Sequence, residues 1–318
     1  MDHSGKRGIS RRQFVALTSA AMPLGGAALA FASGGGDAVA PQRHGRGYRI
    51  DTRISSQNQD SRVRTLVLHY TAEDLASSLA SLTQTQYQVS SHYLVPDGSL
   101  AAHVYQLVPD EARAWHAGVS AWRGDTMLNA SSIGVEIVNL GYPAEDETLP
   151  LMQRHWYAFE DAQIEVVGRL ARDLVDRYAL PPYQVVGHTD VAPGRKVDPG
   201  PLFPWQRLYE RYGVGAWPDQ ATVDALRSSQ PYDGDIGALQ AKLARYGYGL
   251  TASGVLDQAT VDAVSAFQMH FRPARYDGVP DLDTVAILDA LLAKYFPPAA
   301  AAAALAGPAA GERNEKGD

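Results

Sequence analysis

Five side chains in this sequence could together cleave an amide. His69 closes the apolar run "RTLVLHY" and His188 closes "YQVVGH". Asp198 follows ten residues after His188, across a loop stiffened by Pro193 and Pro199. Two neutral imidazoles and one carboxylate suit Zn²⁺, with a fourth position left for water. Such an ion lowers the pKa of the water to about 7 and polarises a carbonyl. Glu136 stands inside "IGVEIV", where a carboxylate is costly to bury unless it is paired or used. That makes it the candidate general base. Lys196, two residues before Asp198, could set an ammonium beside a developing oxyanion. Each group also has an ordinary alternative. A histidine at a strand end is commonly a hydrogen-bonded structural residue, Glu136 could face solvent on a sheet edge, and Lys196 with Asp198 could be a surface pair of little energetic value. His69 and His188 lie 119 residues apart, so spacing by itself leaves the metal reading weak.

The elements that would have to position these groups can be read from periodicity. "RTLVLHYT" (64–71), "SSIGVEIVNLG" (131–141) and "YQVVGH" (183–188) read as strands, the first of them buried. Strand ends of such sheets open onto the crevice where sites are commonly built. Asp97-Gly98 lies between two strand-like runs in 90–105 and predicts a hairpin. Residues 76–86 have helical spacing. Residues 157–180 read as a long helix with Ile164, Val167, Leu170, Leu174 and Tyr178 on one face, ended by Pro181-Pro182. Strands and helices mixed in this way suggest an α/β fold, a sheet covered by helices. After Gly215 the composition changes. Residues 233–296 read as a small all-α unit with an internal repeat, "SGVLDQATVDAVSAF" (253–267) and "DGVPDLDTVAILDAL" (277–291). Asp257 and Asp281 are natural N-caps, and Val261, Val264, Phe267 and Phe271 form one apolar stripe.

Bulk properties limit the choices. The 318 residues allow one to three domains, and 45% hydrophobic with 20% charged content is ordinary for a globular protein. There is no cysteine, hence no disulfide, thiolate metal site or cysteine nucleophile. The net charge is −7 although the first thirty residues are basic, so nucleic acid is a poor candidate partner. Residues 1–32 have signal-peptide architecture: a charged start, an apolar stretch from Phe14 to Ala30, and small-x-small cleavage candidates. Ser10-Arg11-Arg12-Gln13-Phe14 resembles a twin-arginine export signal. The stretch is short, Gly-rich and broken by Pro23, which makes it a poor permanent span. No stable membrane span is expected after its removal. Residues 33–54 read as a linker, 55–215 as the catalytic domain, 216–232 as a second linker, 233–296 as the helical domain and 297–318 as a disordered tail. Nothing in the sequence demands a partner copy, and the oligomeric state stays open.

Taken in order, "LVLHYTA", "VSSHYLV", "RAWHAGVSAWRG", "SSIGVEIVN" and "VVGHTDVAPGRKVDPGPLFPW" closely resemble the type 2 family of zinc-dependent N-acetylmuramoyl-L-alanine amidases. The match is best to the exported branch with a C-terminal peptidoglycan-binding domain. It covers about residues 55–215 and is most specific at 187–205. The resemblance implies a mixed β-sheet flanked by helices, one catalytic zinc with ligands His69, His188 and Asp198, a catalytic carboxylate Glu136, and Lys196 as transition-state stabiliser. Some branches carry a catalytic tyrosine where this chain has Ser91, so that role is not transferred. Trp115 and His116 of "AWHAG" look like part of the substrate groove, with a packing role for His116 as the equal alternative. Residues 233–296 resemble a three-helix peptidoglycan-binding domain.

These readings imply an exported, periplasmic or cell-wall-associated hydrolase. It would cut between N-acetylmuramic acid, intact or 1,6-anhydro, and L-alanine of the stem peptide, with peptidoglycan or muropeptides as partners. The alternative is a non-catalytic peptidoglycan receptor of the same fold, against which the full ligand set and Lys196 argue. A cytoplasmic recycling amidase is disfavoured by the leader and the added domain.

Overall fold

A computed structural model describes residues 44–45, 48–49, 54–98 and 102–297. The expected signal peptide, most of the 33–54 arm and the tail beyond 297 lie outside the described residues. The chain divides into two units at Gln59. The described part of the first includes an antiparallel pair, His44–Gly45 with Tyr48–Arg49.

The second unit is built on a five-stranded mixed sheet. Its strands are β1 Thr65–Tyr70, β2 Tyr93–Val95, β3 Tyr105–Gln106, β4 Ser132–Ile137 and β5 Val185–Gly187, in the order β3-β2-β4-β1-β5. β1 pairs in parallel with β4 and with β5, β2 is parallel to β4, and β3 closes the edge antiparallel to β2. A strand that is central in a parallel sheet is covered on both faces, which is why β1 is a continuous apolar run up to His69.

The period of two sorts the chemistry. Leu66 and Leu68 of β1 join Ile133, Val135 and Ile137 of β4 in one core. This face is covered by α2, Asp161–Tyr178, through Ile164, Val167, Ala171 and Leu174. The opposite face carries Thr65, Val67 and His69, with Ser132, Gly134 and Glu136 as their register partners. At one edge of that face α1, Leu75–Thr83, packs over Leu94 through Leu75, Leu79 and Leu82. The helices α3 His188–Val191 and α4 Trp205–Tyr212 follow β5.

Asp257 and Asp281 cap α7 Gln258–Phe271 and α8 Leu282–Tyr295, accepting Thr260 N–H and Thr284 N–H at 2.9 Å each. The repeat has a buried logic as well. Gln240 of α6 Ile236–Tyr246 donates to Thr260 and accepts from Gly254 N–H. Gln268 of α7 does the same with Thr284 and Gly278.

Three expectations need correction. The 216–232 segment is not a bare linker: it carries α5, Gln220–Ser229, whose Val223 is buried against the helical core. Asp97-Gly98 does not by itself turn the hairpin: β2 and β3 pair antiparallel as expected, Leu94 with Tyr105, but the connection between them is long. Helix α7 does not bury a single stripe. Residues 263–271 are all buried while Val261 is not, because the helix is covered on several sides.

A polar hub ties the sheet edge to α2. Asp110 accepts bonds from Tyr93 Oη (2.7 Å), Gln106 Nε2 (3.1 Å), Tyr178 Oη (2.6 Å) and Arg177 Nη1 (2.8 Å). Burial pushes its carboxyl up, but the bonds from Tyr178, Tyr93 and Arg177 outweigh it and hold the group below its ordinary value. A folded-state pKa below the unfolded value stabilises the fold above about pH 4, and this is lost as pH falls through the folded value. Asp110→Asn should therefore lower stability by about 1–3 kcal/mol at pH 7. It should also flatten the loss of melting temperature between about pH 5 and pH 3, read by thermal unfolding across that range.

Candidate metal centre

His69 sits near the end of β1 on the face that also presents Glu136, its register partner on β4. His188 is the first residue after β5. The following loop folds back, with Thr189 N–H donating to Asp198 C=O at 2.8 Å, and brings the Asp198 carboxylate under both rings. Gly187 makes the return possible, since a Cβ there would stand 2.7 Å from Pro199 Cδ. His69 Nδ1 lies 2.9 Å from His188 Nδ1, and each lies 3.0 Å from Asp198 Oδ2. All three residues are buried, and they form a group able to hold a metal ion.

The tautomers follow from the partners of the other ring nitrogens. Ser132 Oγ donates its only proton to Leu128 C=O at 2.6 Å, so toward His116 Nε2, at 3.1 Å, it can only accept. His116 therefore carries its proton on Nε2 and offers Nδ1 to His69 Nε2, 3.0 Å away. His69 in turn has its proton on Nε2 and a lone pair on Nδ1. For His188, Nε2 donates to Ala117 C=O at 3.2 Å, which again leaves the lone pair on Nδ1. Arg195 helps to fix that carbonyl, donating to Ala117 C=O and Val119 C=O at 2.6 and 2.7 Å. Two lone pairs and a carboxylate oxygen thus converge with no proton between them. The donor set fits a cation, and N,N,O is a set that zinc accepts.

Protonation states agree with this. Burial, then the His188 ring, push His69 down to about 4, against the pull of Asp198 and with Lys196 adding to the fall. Burial also lowers His188, opposed by Asp198 and assisted by Lys196 and Arg195. Burial and the surrounding histidines take His116 well below its ordinary value. Burial alone would raise Asp198, but His188 and His69 hold it well below the usual carboxylate range. At neutral pH the two imidazoles are neutral and the carboxylate is ionised, as ligation requires.

The structure thus brings His69, His188 and Asp198 together, with the charge of Lys196 felt by both rings. Glu136 is buried, 8% exposed, level with His69 in the sheet. Trp115 is half exposed, and its backbone is pinned on both sides by Ser90. His116 is buried with both ring nitrogens engaged, a position unlike that of a groove residue. Sequence reasoning missed Ser132, Gly134, Asn129 and Arg195. A Cβ on Gly134 would stand 2.5 Å from the His116 ring, so the glycine makes room for it. Asn129 Oδ1 accepts His116 N–H and Ala117 N–H at 3.1 and 2.7 Å. Of these, only Gly134 carried a sequence signal: a glycine inside a buried strand marks a close approach.

A mixed sheet flanked by helices, with a helical region after it, is the architecture of the type 2 amidases. The family described as N-acetylmuramoyl-L-alanine amidase matches residues 59–201, and a peptidoglycan binding domain matches 232–288. N-acetylmuramoyl-L-alanine amidase AmiD of Escherichia coli is 44% identical over 292 residues, covering 89% of this chain and 99% of that protein. The 1,6-anhydro-N-acetylmuramyl-L-alanine amidase AmpD of the same organism is 39% identical over 122 residues, 38% of this chain and 57% of that protein. AmiD has been solved with the substrate anhydro-N-acetylmuramic acid-L-Ala-D-γ-Glu-L-Lys. That structure has a TM-score of 0.70 at 44% identity, covering 79% of this chain and 97% of its own. AmpDH3 of Pseudomonas aeruginosa, in complex with anhydromuramic pentapeptide, has a TM-score of 0.69 at 41% identity, covering 77% and 98%. This chain belongs to the N-acetylmuramoyl-L-alanine amidase family and is a hydrolase.

Ser132→Ala removes the acceptor that orients His116 and, through it, His69. It should weaken binding of a divalent metal ion by ~10-fold, within the range of such orienting partners. Calorimetric titration of Zn²⁺ into the metal-free wild type and variant would show it.

Proposed function

We propose that this enzyme uses zinc held by His69, His188 and Asp198 to hydrolyse the amide between the lactyl group of N-acetylmuramic acid and L-alanine of the stem peptide, with the 1,6-anhydro form among its substrates. The observation that carries the reading is the convergence of three proton-free acceptor atoms within 3.0 Å of one another in a buried site. The anhydromuropeptides bound by AmiD and AmpDH3 support the substrate class.

Zinc, when bound, supplies Lewis acidity that activates water and polarises the scissile carbonyl. The protein's own groups do the rest. Glu136 takes a proton from the attacking water as the new C–O bond forms. The Lys196 ammonium balances the negative charge that develops on the carbonyl oxygen. Glu136 then returns the proton to the departing nitrogen, and the C–N bond breaks to leave the lactyl carboxyl group and the amine of L-alanine, which at neutral pH become carboxylate and ammonium by passage of the carboxyl proton. Trp115 offers an exposed indole at the substrate side. His116 orients His69 instead of touching substrate. Residues 233–296 bind peptidoglycan and raise the enzyme's effective concentration on the wall. Residues 1–32 direct export, which places the enzyme in the periplasm or at the cell wall. Among the described residues no helix is long and apolar enough to cross a membrane.

The test is digestion of muropeptides by the purified protein with mass spectrometry of the products. Stem peptides beginning with free L-alanine should appear, vanish with chelator and return with Zn²⁺. Tight binding without cleavage would sink the reading and leave a receptor. Glu136→Gln should lower kcat by about 10²–10⁴-fold while zinc stays bound, a direct measure of the base's share. For export, a fusion of residues 1–32 to a reporter should lose periplasmic activity on Arg11→Lys/Arg12→Lys; unchanged activity would exclude the twin-arginine route.

A further inference from the structure

Two residues beyond His188, Asp190 is 1% exposed and accepts three hydrogen bonds. Gly187 N–H donates to Oδ2 at 2.7 Å, from within the same turn. The other two donors come from the helical region. Tyr248 Oη, just after α6, donates to Oδ1 at 2.6 Å, and His270 Nδ1, on α7, donates to Oδ2 at 2.8 Å. The His270 ring is stacked on both faces, against Trp205 of α4 at 3.9 Å and Phe271 at 4.0 Å between centroids. Its Nε2 is buried with no hydrogen-bond partner among the described residues. The ring is thus held to a single polar contact. Around this contact the apolar side chains of the two regions form one core: Val67, Val186 and Val191 with Leu239, Val264 and Phe267.

We propose that Tyr248 and His270 are positioning residues for the metal centre, acting through Asp190 on the turn that presents His188. The proposal rests on the zinc amidase reading above. Asp190 fixes Gly187 N–H, the peptide immediately before His188, and so sets where the His188 backbone begins. A buried carboxylate deprived of two of its three donors carries a desolvation penalty and turns toward water. Gly187 N–H is then released, and the His188 ring loses its register with His69 and Asp198. Misplacement of about 1 Å is enough to cost a catalytic centre heavily. In this arrangement the helical region is part of the support of the reacting site as well as a wall-binding module.

Three full-length single variants and the Tyr248→Phe/His270→Phe double variant test it. Tyr248→Phe removes one hydroxyl, His270→Phe keeps a ring in the stack but removes the donor, and His270→Asn restores a donor near the Nδ1 position. Three readouts are needed: Gly187 amide hydrogen exchange in metal-free protein, Zn²⁺ affinity by chelator competition, and kcat and KM on a soluble muropeptide. Tyr248→Phe and His270→Phe should speed Gly187 exchange, weaken Zn²⁺ binding by ~10-fold and lower kcat with KM unchanged. His270→Asn should recover most of each effect, and the effects of the two losses should not add, since both act through one carboxylate. Unchanged Gly187 exchange overturns the proposal. So does faster exchange with wild-type zinc affinity and kcat, whatever happens to the melting temperature. A wild type that neither binds zinc nor cleaves would instead count against the amidase reading, and Gly187 exchange in metal-free protein would still decide the clamp.

Discussion

Three electron-rich atoms held within 3.0 Å of each other repel unless a cation sits among them. Holding that arrangement in a buried place is the constraint around which the rest of this structure is organised. Left alone, two imidazoles would turn to share a proton, or the carboxylate would swing to water. Each escape is blocked from behind. His69 is held by the His116–Ser132–Leu128 relay, and His188 by the Ala117 carbonyl. Asp198 rides on a loop whose backbone is bonded to Thr189. The outer hydrogen bonds therefore carry as much of the design as the inner atoms.

The sheet supplies the floor for this arrangement by simple alternation. In "SIGVEI" the isoleucines and valine go to the α2 core, and Ser132, Gly134 and Glu136 go to the other face. One strand thus delivers a relay end, a vacancy for the His116 ring, and a carboxylate level with His69. Parallel pairing with β1 sets these beside Thr65, Val67 and His69 in step. A shift of one residue would exchange the two faces and bury Ser132 and Glu136 against leucines. Register and chemistry are the same constraint here.

Much of this was readable from the chain. Strand runs ending in His69 and His188, the long α2 and the Asp257 and Asp281 caps follow from periodicity and capping, which are local properties. The mixed sheet and the amidase family followed from motifs in order. What could not be read are contacts between segments remote in sequence. Ser132 matters only because its hydroxyl meets a ring carried by residue 116, and Asn129 only because it holds that segment's backbone. The "AWHAG" resemblance leaves His116 open between a groove and a packing role, and only the contacts of its ring with residues 69 and 132 favour packing. The 216–232 segment has turn-rich ends, which concealed a helix that gains its stability from packing on α8. A single apolar stripe understates the burial of α7, because the helix is covered on several sides.

That breadth of burial has a consequence for any attempt to part the two regions. Modules that travel between genes usually present a polar exterior, so that they can be appended to any host without adjusting either surface. Helix α7 does not: Val264 and Phe267 fill a core shared with Val67, Val186 and Val191 of the sheet region. Transplanting the helical part onto another enzyme would leave apolar surface bare on both fragments.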